Sequence, residues 1–138
     1  MRGKILFTST RDGNWEIYVM NPDGTIQTNL TNNSHNDSMP SWSLDGSKIA
    51  FASDRHGDGD IFVMDEDGSG QSRLTNLGGD EEYPRWSPDG ERIASIGGND
   101  LYVINSDGTE MRQLFQGGRN PEWFPDGNRI VFNANPPV

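Results

Sequence analysis

Short apolar segments recur along the chain at regular intervals, each closed by a polar turn. Lys4-Ile5-Leu6-Phe7 returns as Lys48-Ile49-Ala50-Phe51, as Arg92-Ile93-Ala94-Ser95 and as Arg129-Ile130-Val131-Phe132, at offsets of 44, 44 and 37 residues. Glu16-Ile17-Tyr18-Val19-Met20 returns as Asp60-Ile61-Phe62-Val63-Met64 and Asp100-Leu101-Tyr102-Val103-Ile104. Segments this short, rich in β-branched and aromatic residues, read as strands. Those beginning at Ile17, Ile61 and Leu101 are apolar on both faces, which predicts cover on both sides. Asp-Gly pairs at 23/24, 45/46, 67/68, 89/90, 107/108 and 126/127 punctuate the runs. Asp-Gly between apolar runs is a hairpin signal, because the turn needs positive φ, which Gly adopts freely and Asp tolerates. No helical segments alternate with the strands, so the chain is all-β.

Each unit therefore reads strand, Asp-Gly turn, strand, loop, strand, Asp-Gly turn, strand. Four short antiparallel strands in about 40 residues make one blade of a β-propeller. Pro40-Ser41-Trp42-Ser43 returns as Pro84-Arg85-Trp86-Ser87 and as Pro121-Glu122-Trp123-Phe124, and Leu30-Thr31-Asn32 as Leu74-Thr75-Asn76. Pro-x-Trp-Ser-Pro-Asp-Gly, an Ile-Ala-Phe strand, Ile-Tyr-Val-Met, Asp-Gly and Leu-Thr, in that order, resemble the TolB-type β-propeller repeat, with WD-repeat-like blades. Residues 84–90 match that pattern in full. The third unit departs from it, with a short Ile96-Gly97-Gly98-Asn99 connection, Phe115 in place of Thr and Phe124 in place of Ser. The resemblance implies that the Trp strand is innermost and that a closed ring has six blades. It also implies a bacterial envelope protein, periplasmic, whose relatives bind a peptidoglycan-associated lipoprotein. The shared motif is structural, so no partner-binding residue carries over.

The expected organisation is one domain, 1–138, built of repeats at about 4–39, 40–83 and 84–120 with a partial unit at 121–133. Three four-stranded blades leave one spare strand, either 4–8 or 129–133. Three blades alone would leave apolar faces in water. Two copies could close a six-bladed homodimer, or the chain could be part of a longer propeller.

Composition narrows the partners. The net charge is -10, from 21 acidic and 11 basic residues. Phosphate backbones and anionic lipid surfaces repel such a chain, so neither nucleic acid nor membrane is expected as a partner. Its 31% hydrophobic content is low, yet the periodic apolar runs argue against disorder. There is no cysteine, which removes disulfides, thiol catalysis and cysteine-ligated zinc. No run is long enough to span a bilayer. No signal peptide is visible, so a native start at Met1 would mean a cytoplasmic protein.

Trp42, Trp86 and Trp123 occupy one repeat position and are expected to pack between blades. Trp15 has no repeat partner and is either an exposed anchor or rim packing. The segments leading into the Trp strands vary where the strands do not. They supply the candidate binding face at a channel mouth: His35, Asn36 and Asp37; Asp80, Glu81, Glu82 and Tyr83; Arg119 and Asn120. Polar diversity on a rigid scaffold is how binding surfaces are built. Arg11 and Arg55 could reach a face or pair with acids. Asp12-x-Asn14-x-Glu16 resembles the start of a calcium loop but lacks its Gly and distant Glu, so capping of backbone amides is the better reading. Asp58 and Asp60 are weak candidates for a low-affinity cation. Two histidines, no Gly-x-Ser-x-Gly elbow and no phosphate loop leave no catalytic constellation. The function expected is a non-catalytic scaffold, without cofactor, that binds a protein partner and self-associates. The alternatives are a carbohydrate lyase or hydrolase with a metal at the channel mouth, or a repeat fragment without independent function.

Overall fold

The computed structural model describes residues 3–134, so the reading of Met1 as a native start lies outside the described residues. Thirteen strands are present: β1 (Ile5–Ser9), β2 (Glu16–Met20), β3 (Thr28–Asn29), β4 (Asp37–Trp42), β5 (Lys48–Ser53), β6 (Asp60–Asp65), β7 (Ser72–Arg73), β8 (Glu81–Trp86), β9 (Arg92–Gly97), β10 (Asp100–Asn105), β11 (Arg112–Phe115), β12 (Gly118–Trp123) and β13 (Ile130–Ala134). They pair antiparallel, in chain order, into four sheets: β1–β3, β4–β7, β8–β11 and β12–β13. Among the described residues no helix is long and apolar enough to cross a membrane.

The Asp-Gly turns form hairpins, but Asp does not take the positive φ that the sequence allowed it. Gly24, Gly46 and Gly68 carry φ of 83°, 75° and 87°, whereas no Asp is left-handed among the described residues. Gly24 N–H donates to the Asn21 carbonyl and Asn21 N–H to that of Thr25, a turn closed by a left-handed glycine. The Asp side chain instead caps the strand that follows: Asp23 Oδ1 accepts from Thr25 N–H at 3.0 Å and from its hydroxyl at 2.7 Å.

The inner strands start at Asp37, Glu81 and Gly118, three residues before the repeated proline. Residues read as leading into the strand therefore lie partly within it. A register shift interrupts each inner strand, between Ser38/Ser41, Glu82/Arg85 and Arg119/Glu122. Each shift holds a non-glycine residue in the left-handed region: Met39 (54°), Tyr83 (55°) and Asn120 (50°). The next residue is always the proline, which has no N–H for a ladder and is accommodated at a bulge.

Three apolar clusters hold neighbouring sheets together. Ile17, Leu30, Ile49, Phe51, Phe62 and Met64 join the first two, with Trp42 packed against them. Ala50, Ile93 and Ile104 join the second and third, with Trp86. Ala94, Ile96, Leu101 and Val103 join the third and fourth, with Trp123. One repeated tryptophan serves each joint. Both strands considered spare are in place: β1 pairs with β2 over five residue pairs, and β13 pairs with β12. Among the described residues the first sheet thus has no inner strand, and the last has only its inner two.

Candidate binding face

Antiparallel order places the six Asp-Gly turns at 23/24, 45/46, 67/68, 89/90, 107/108 and 126/127 at one edge of the sheets and the variable connections, with Asp12-Gly13 and Asp58-Gly59 among them, at the other. The second edge gathers residues 10–15, 54–59 and 98–99 with 30–36, 74–80 and 116–117. Every predicted face residue lies in these connections or in the first turns of β4, β8 and β12.

They separate by burial. Asp37 and Glu81 are fully buried, so neither offers its side chain to solvent. Asp37 Oδ2 accepts from Arg55 Nη2 at 2.9 Å and from Asn33 Nδ2 at 2.6 Å. Glu81 Oε1 accepts from Leu77 N–H at 2.7 Å. Burial pushes the Glu81 carboxyl above its ordinary range, opposed by the Thr75 hydroxyl and the Leu77 amide and reinforced by Asp60. Each has one buried oxygen without a partner, Asp37 Oδ1 and Glu81 Oε2. His35, Asn36, Asp80, Glu82, Tyr83, Arg119 and Asn120 are exposed or half-buried. His35 Nδ1 lies 3.6 Å from Asp54 Oδ1, and Asn36 is held by Asp54 through both backbone and side chain, at 2.8 Å each. Asp80 Oδ1 accepts from Gly59 N–H at 2.9 Å.

Glu82, Tyr83, Arg119 and Asn120 come together. With Ile96, Gly98 and Asn99 they line a polar cleft of about 300 Å³ between the third and fourth sheets. Arg119 Nη2 donates to Asn99 Oδ1 at 2.6 Å across it. The cleft offers a carboxylate, a guanidinium, a phenol and two amides on strands whose backbone is fixed by the paired bulges. The sequence reading missed Ile96, Gly98 and Asn99. Their signal was the shortened connection of the third unit, residues 98–99.

The other candidates are placed within the scaffold. Asp60 is buried and pairs with Arg73 Nη2 at 2.7 Å, while Asp58 is exposed in the neighbouring loop. Among the described residues no group of three His, Cys, Asp or Glu side chains gathers to hold a metal. Glu16, the last member of the calcium-like run, is buried and accepts from Thr31 Oγ1, from Asn33 N–H at 2.9 Å and from Asn14 Nδ2 at 3.0 Å. Asp12 accepts from the Tyr18 hydroxyl and from Asn29 Nδ2 at 3.1 Å. The run is thus spent on local hydrogen bonds. Trp15 is half exposed at the rim, and its carbonyl accepts from Asp37 N–H at 2.7 Å.

The opposite edge is acidic and self-satisfied. The Ser43 hydroxyl, then the Ser47 amide and hydroxyl, lower the Asp45 carboxyl to about 2. Asp23, Asp67, Asp89, Asp107 and Asp126 are lowered in the same way by hydrogen bonds within their own turns.

The chain is similar to known propellers over nearly its whole length. A TolB protein of Agrobacterium tumefaciens is 28% identical and superposes with a TM-score of 0.82 over 96% of this chain and 55% of its own. TolB of Acinetobacter baumannii is 26% identical, with a TM-score of 0.81 over 94% of this chain and 34% of its own. The chain thus spans about half the length of the first and a third of the second. An oligogalacturonate lyase in complex with manganese shares the fold at 16% identity and a TM-score of 0.61, covering 94% of this chain and 55% of its own. No protein of curated function matches the sequence. The family model described as the TolB beta propeller domain matches residues 2–99, and the chain belongs to that family.

Proposed function

We propose that the chain is a non-catalytic β-propeller scaffold that binds a protein partner at the edge bearing its variable connections. The observation that carries this reading is the cleft of Glu82, Tyr83, Asn99, Arg119 and Asn120, where groups of both charges and a phenol converge on rigid inner strands. Side chains of this kind suit a polypeptide, whose amides and charged groups they can satisfy. His35, Asn36 and Asp80 extend the surface towards the first sheet. The likeness to TolB proteins supports a bacterial envelope role and makes a peptidoglycan-associated lipoprotein the first partner to try. Calorimetric titration of the purified lipoprotein into the chain tests this. Micromolar binding that weakens at least about tenfold in Glu82→Ala, Tyr83→Ala and Arg119→Ala fits a focused hot spot. Binding that ignores all three substitutions removes the cleft from the partner surface.

The uncovered edges of β1 and β13 also call for completion. A ring of two copies is one completion; the remaining blades of a longer chain are the other. Light scattering on a size-exclusion column separates them, because a dimer has twice the 15.3 kDa of one chain.

A further inference from the structure

At the edge that carries the Asp-Gly hairpin turns, one arginine closes the joint between the third and fourth sheets. The Arg92 guanidinium lies 4.9 Å from the Trp123 ring centroid, and Arg92 Nη2 donates to the Gly127 carbonyl at 2.8 Å. That side chain crosses from its own sheet to the turn of the next and covers the indole between them. The repeat puts Lys48, Trp86 and Gly90 in the same places at the joint between the second and third sheets. Lys48 does not cross. Its ammonium pairs with Asp65 Oδ1 at 2.5 Å, on its own sheet. The place of the guanidinium is left as a cleft of about 310 Å³, walled by Leu44, Lys48, Trp86, Pro88 and Gly90.

Two further observations bear on what fits there. Leu44 stands at the second position of a turn closed by Gly46 N–H on the Ser43 carbonyl, where the later units have Pro88 and Pro125. Proline sets φ in advance at that position of a turn. Leucine gives that up and is 78% exposed, the most exposed large apolar side chain among the described residues. An exposed leucine beside a cleft suits the aliphatic stem of a long side chain. The second observation is charge. A neighbouring hollow of about 340 Å³ shares Asp45 and Ser47 with the cleft and adds Asp65, Glu66 and Asp67. Among the described residues no cation pairs with Asp45, Glu66 or Asp67. Hydrogen bonds from Ser43 and Ser47 keep the Asp45 carboxyl ionised, and those from Ser69 do the same for Asp67, without neutralising either. The negative potential over the two hollows is thus unbalanced and attracts a cation.

We propose that this cleft docks an extended, arginine-bearing segment of a partner protein, whose guanidinium takes over Trp86 the place that Arg92 holds over Trp123. The stem of that arginine packs on Leu44. A second basic residue two positions along the segment projects to the same side and enters the acidic hollow. Arginine is preferred to lysine, because its planar guanidinium stacks on an aromatic ring while still donating hydrogen bonds and is less strongly hydrated than an ammonium. The site lies at the edge opposite the polar cleft of Glu82 and Arg119, so binding at one is independent of binding at the other.

The probe is the peptide Gly-Ser-Arg-Ser-Arg-Ser-Gly, titrated into the isotope-labelled whole chain and followed by amide and indole cross-peaks. The expected result is saturable shifts at residues 44–48 and 66–69 and at the Trp86 indole N–H. Lysine in place of both arginines weakens binding by about threefold or more, and citrulline, which keeps the shape without the charge, by about tenfold or more. Lys48→Arg gives the chain the residue that its own repeat uses at the next joint. That guanidinium fills the cleft, so the variant should no longer prefer the arginine peptide to the lysine peptide. The comparison of peptides on the unaltered chain stands by itself if the variant does not fold. Absence of saturable shifts, equal affinity of the arginine and lysine peptides, shifts centred on residues 82–83 and 119–120, or a preference for arginine that survives in folded Lys48→Arg overturns the proposal.

Discussion

The indole Nε1–H of Trp123 donates to the backbone carbonyl of Arg85 at 3.0 Å, fastening the inner strand of the fourth sheet to that of the third. The Arg92 guanidinium covers the same indole at 4.9 Å from its centroid. Trp86, the repeat counterpart, has a buried Nε1–H without an acceptor. Trp123→Phe keeps a ring and removes this bond, and is expected to lower unfolding free energy by about 1–2 kcal/mol, from one lost hydrogen bond and a thinner cation–π platform. Trp86→Phe loses no such bond and should cost less. Urea denaturation of the two variants decides; equal losses would mean that the Trp123 bond adds nothing.

Gly118 is a packing glycine. Gly118→Ala would drive a methyl into Leu101 and Phe132 and is expected to cost about 1–3 kcal/mol by overpacking. Gly98, whose added Cβ would meet nothing within 4 Å, sits at φ 64° and reports backbone strain instead. A Gly118→Ala protein as stable as the parent by urea denaturation would show that the fourth sheet shifts freely.

Ile26 occupies a left-handed position, φ 52°, that its counterpart in the next unit gives to Gly70. A β-branched residue is strained there, and its side chain is 70% exposed, so little burial is at stake. Ile26→Gly should raise stability by about 1 kcal/mol, as relief of strain exceeds the added freedom of the unfolded chain. A fall in melting temperature would show that Ile26 makes contacts worth more than its strain.

Glu81 gives the second joint a defined pH dependence. Its carboxyl, raised by burial, holds a proton more tightly in the folded chain than in the unfolded one. The resulting stabilisation is full below its ordinary 4.5 and is lost as pH rises through the raised value. Glu81→Gln removes this loss, so its melting temperature should gain on the parent between pH 4 and pH 7. A constant difference across that range would show that the carboxyl is not raised.

Asp45 acts in the opposite sense. Its carboxyl, lowered to about 2 from 3.8, stabilises the turn above the ordinary value, and that contribution is lost as pH falls through 2. Asp45→Asn should lower the melting temperature at neutral pH and flatten the acid limb below pH 4, so that variant and parent converge in acid. An acid limb as steep as the parent's would assign it to the other turns.

Strand order, hairpin positions and the inter-sheet tryptophans were all legible in the sequence. Short apolar runs at a fixed repeat, Asp-Gly turns and a repeated aromatic are local or repeated signals, and each sheet reads them alike. The candidate face was legible only in outline. Asp37 and Glu81 look like their exposed neighbours in sequence, and only packing of one sheet on the next buries them. Asn99 joins Arg119 although they lie 20 residues apart, because a shortened turn and the start of an inner strand meet across a joint.

The sequence by itself determined the repeat, and through it the fold, because each unit carries its own turns and apolar core positions. Only the tertiary structure decided which polar residues are spent on joints and which face solvent. It also showed that Arg55 pairs with Asp37 of the inner strand beside it, while Arg11, next to Asp12 where the second unit has His56, hydrogen-bonds Ser9 and Gln27. The physical reason is that charge pairing across strands depends on what lies beside a residue in space, and among the described residues no inner strand lies beside the first sheet.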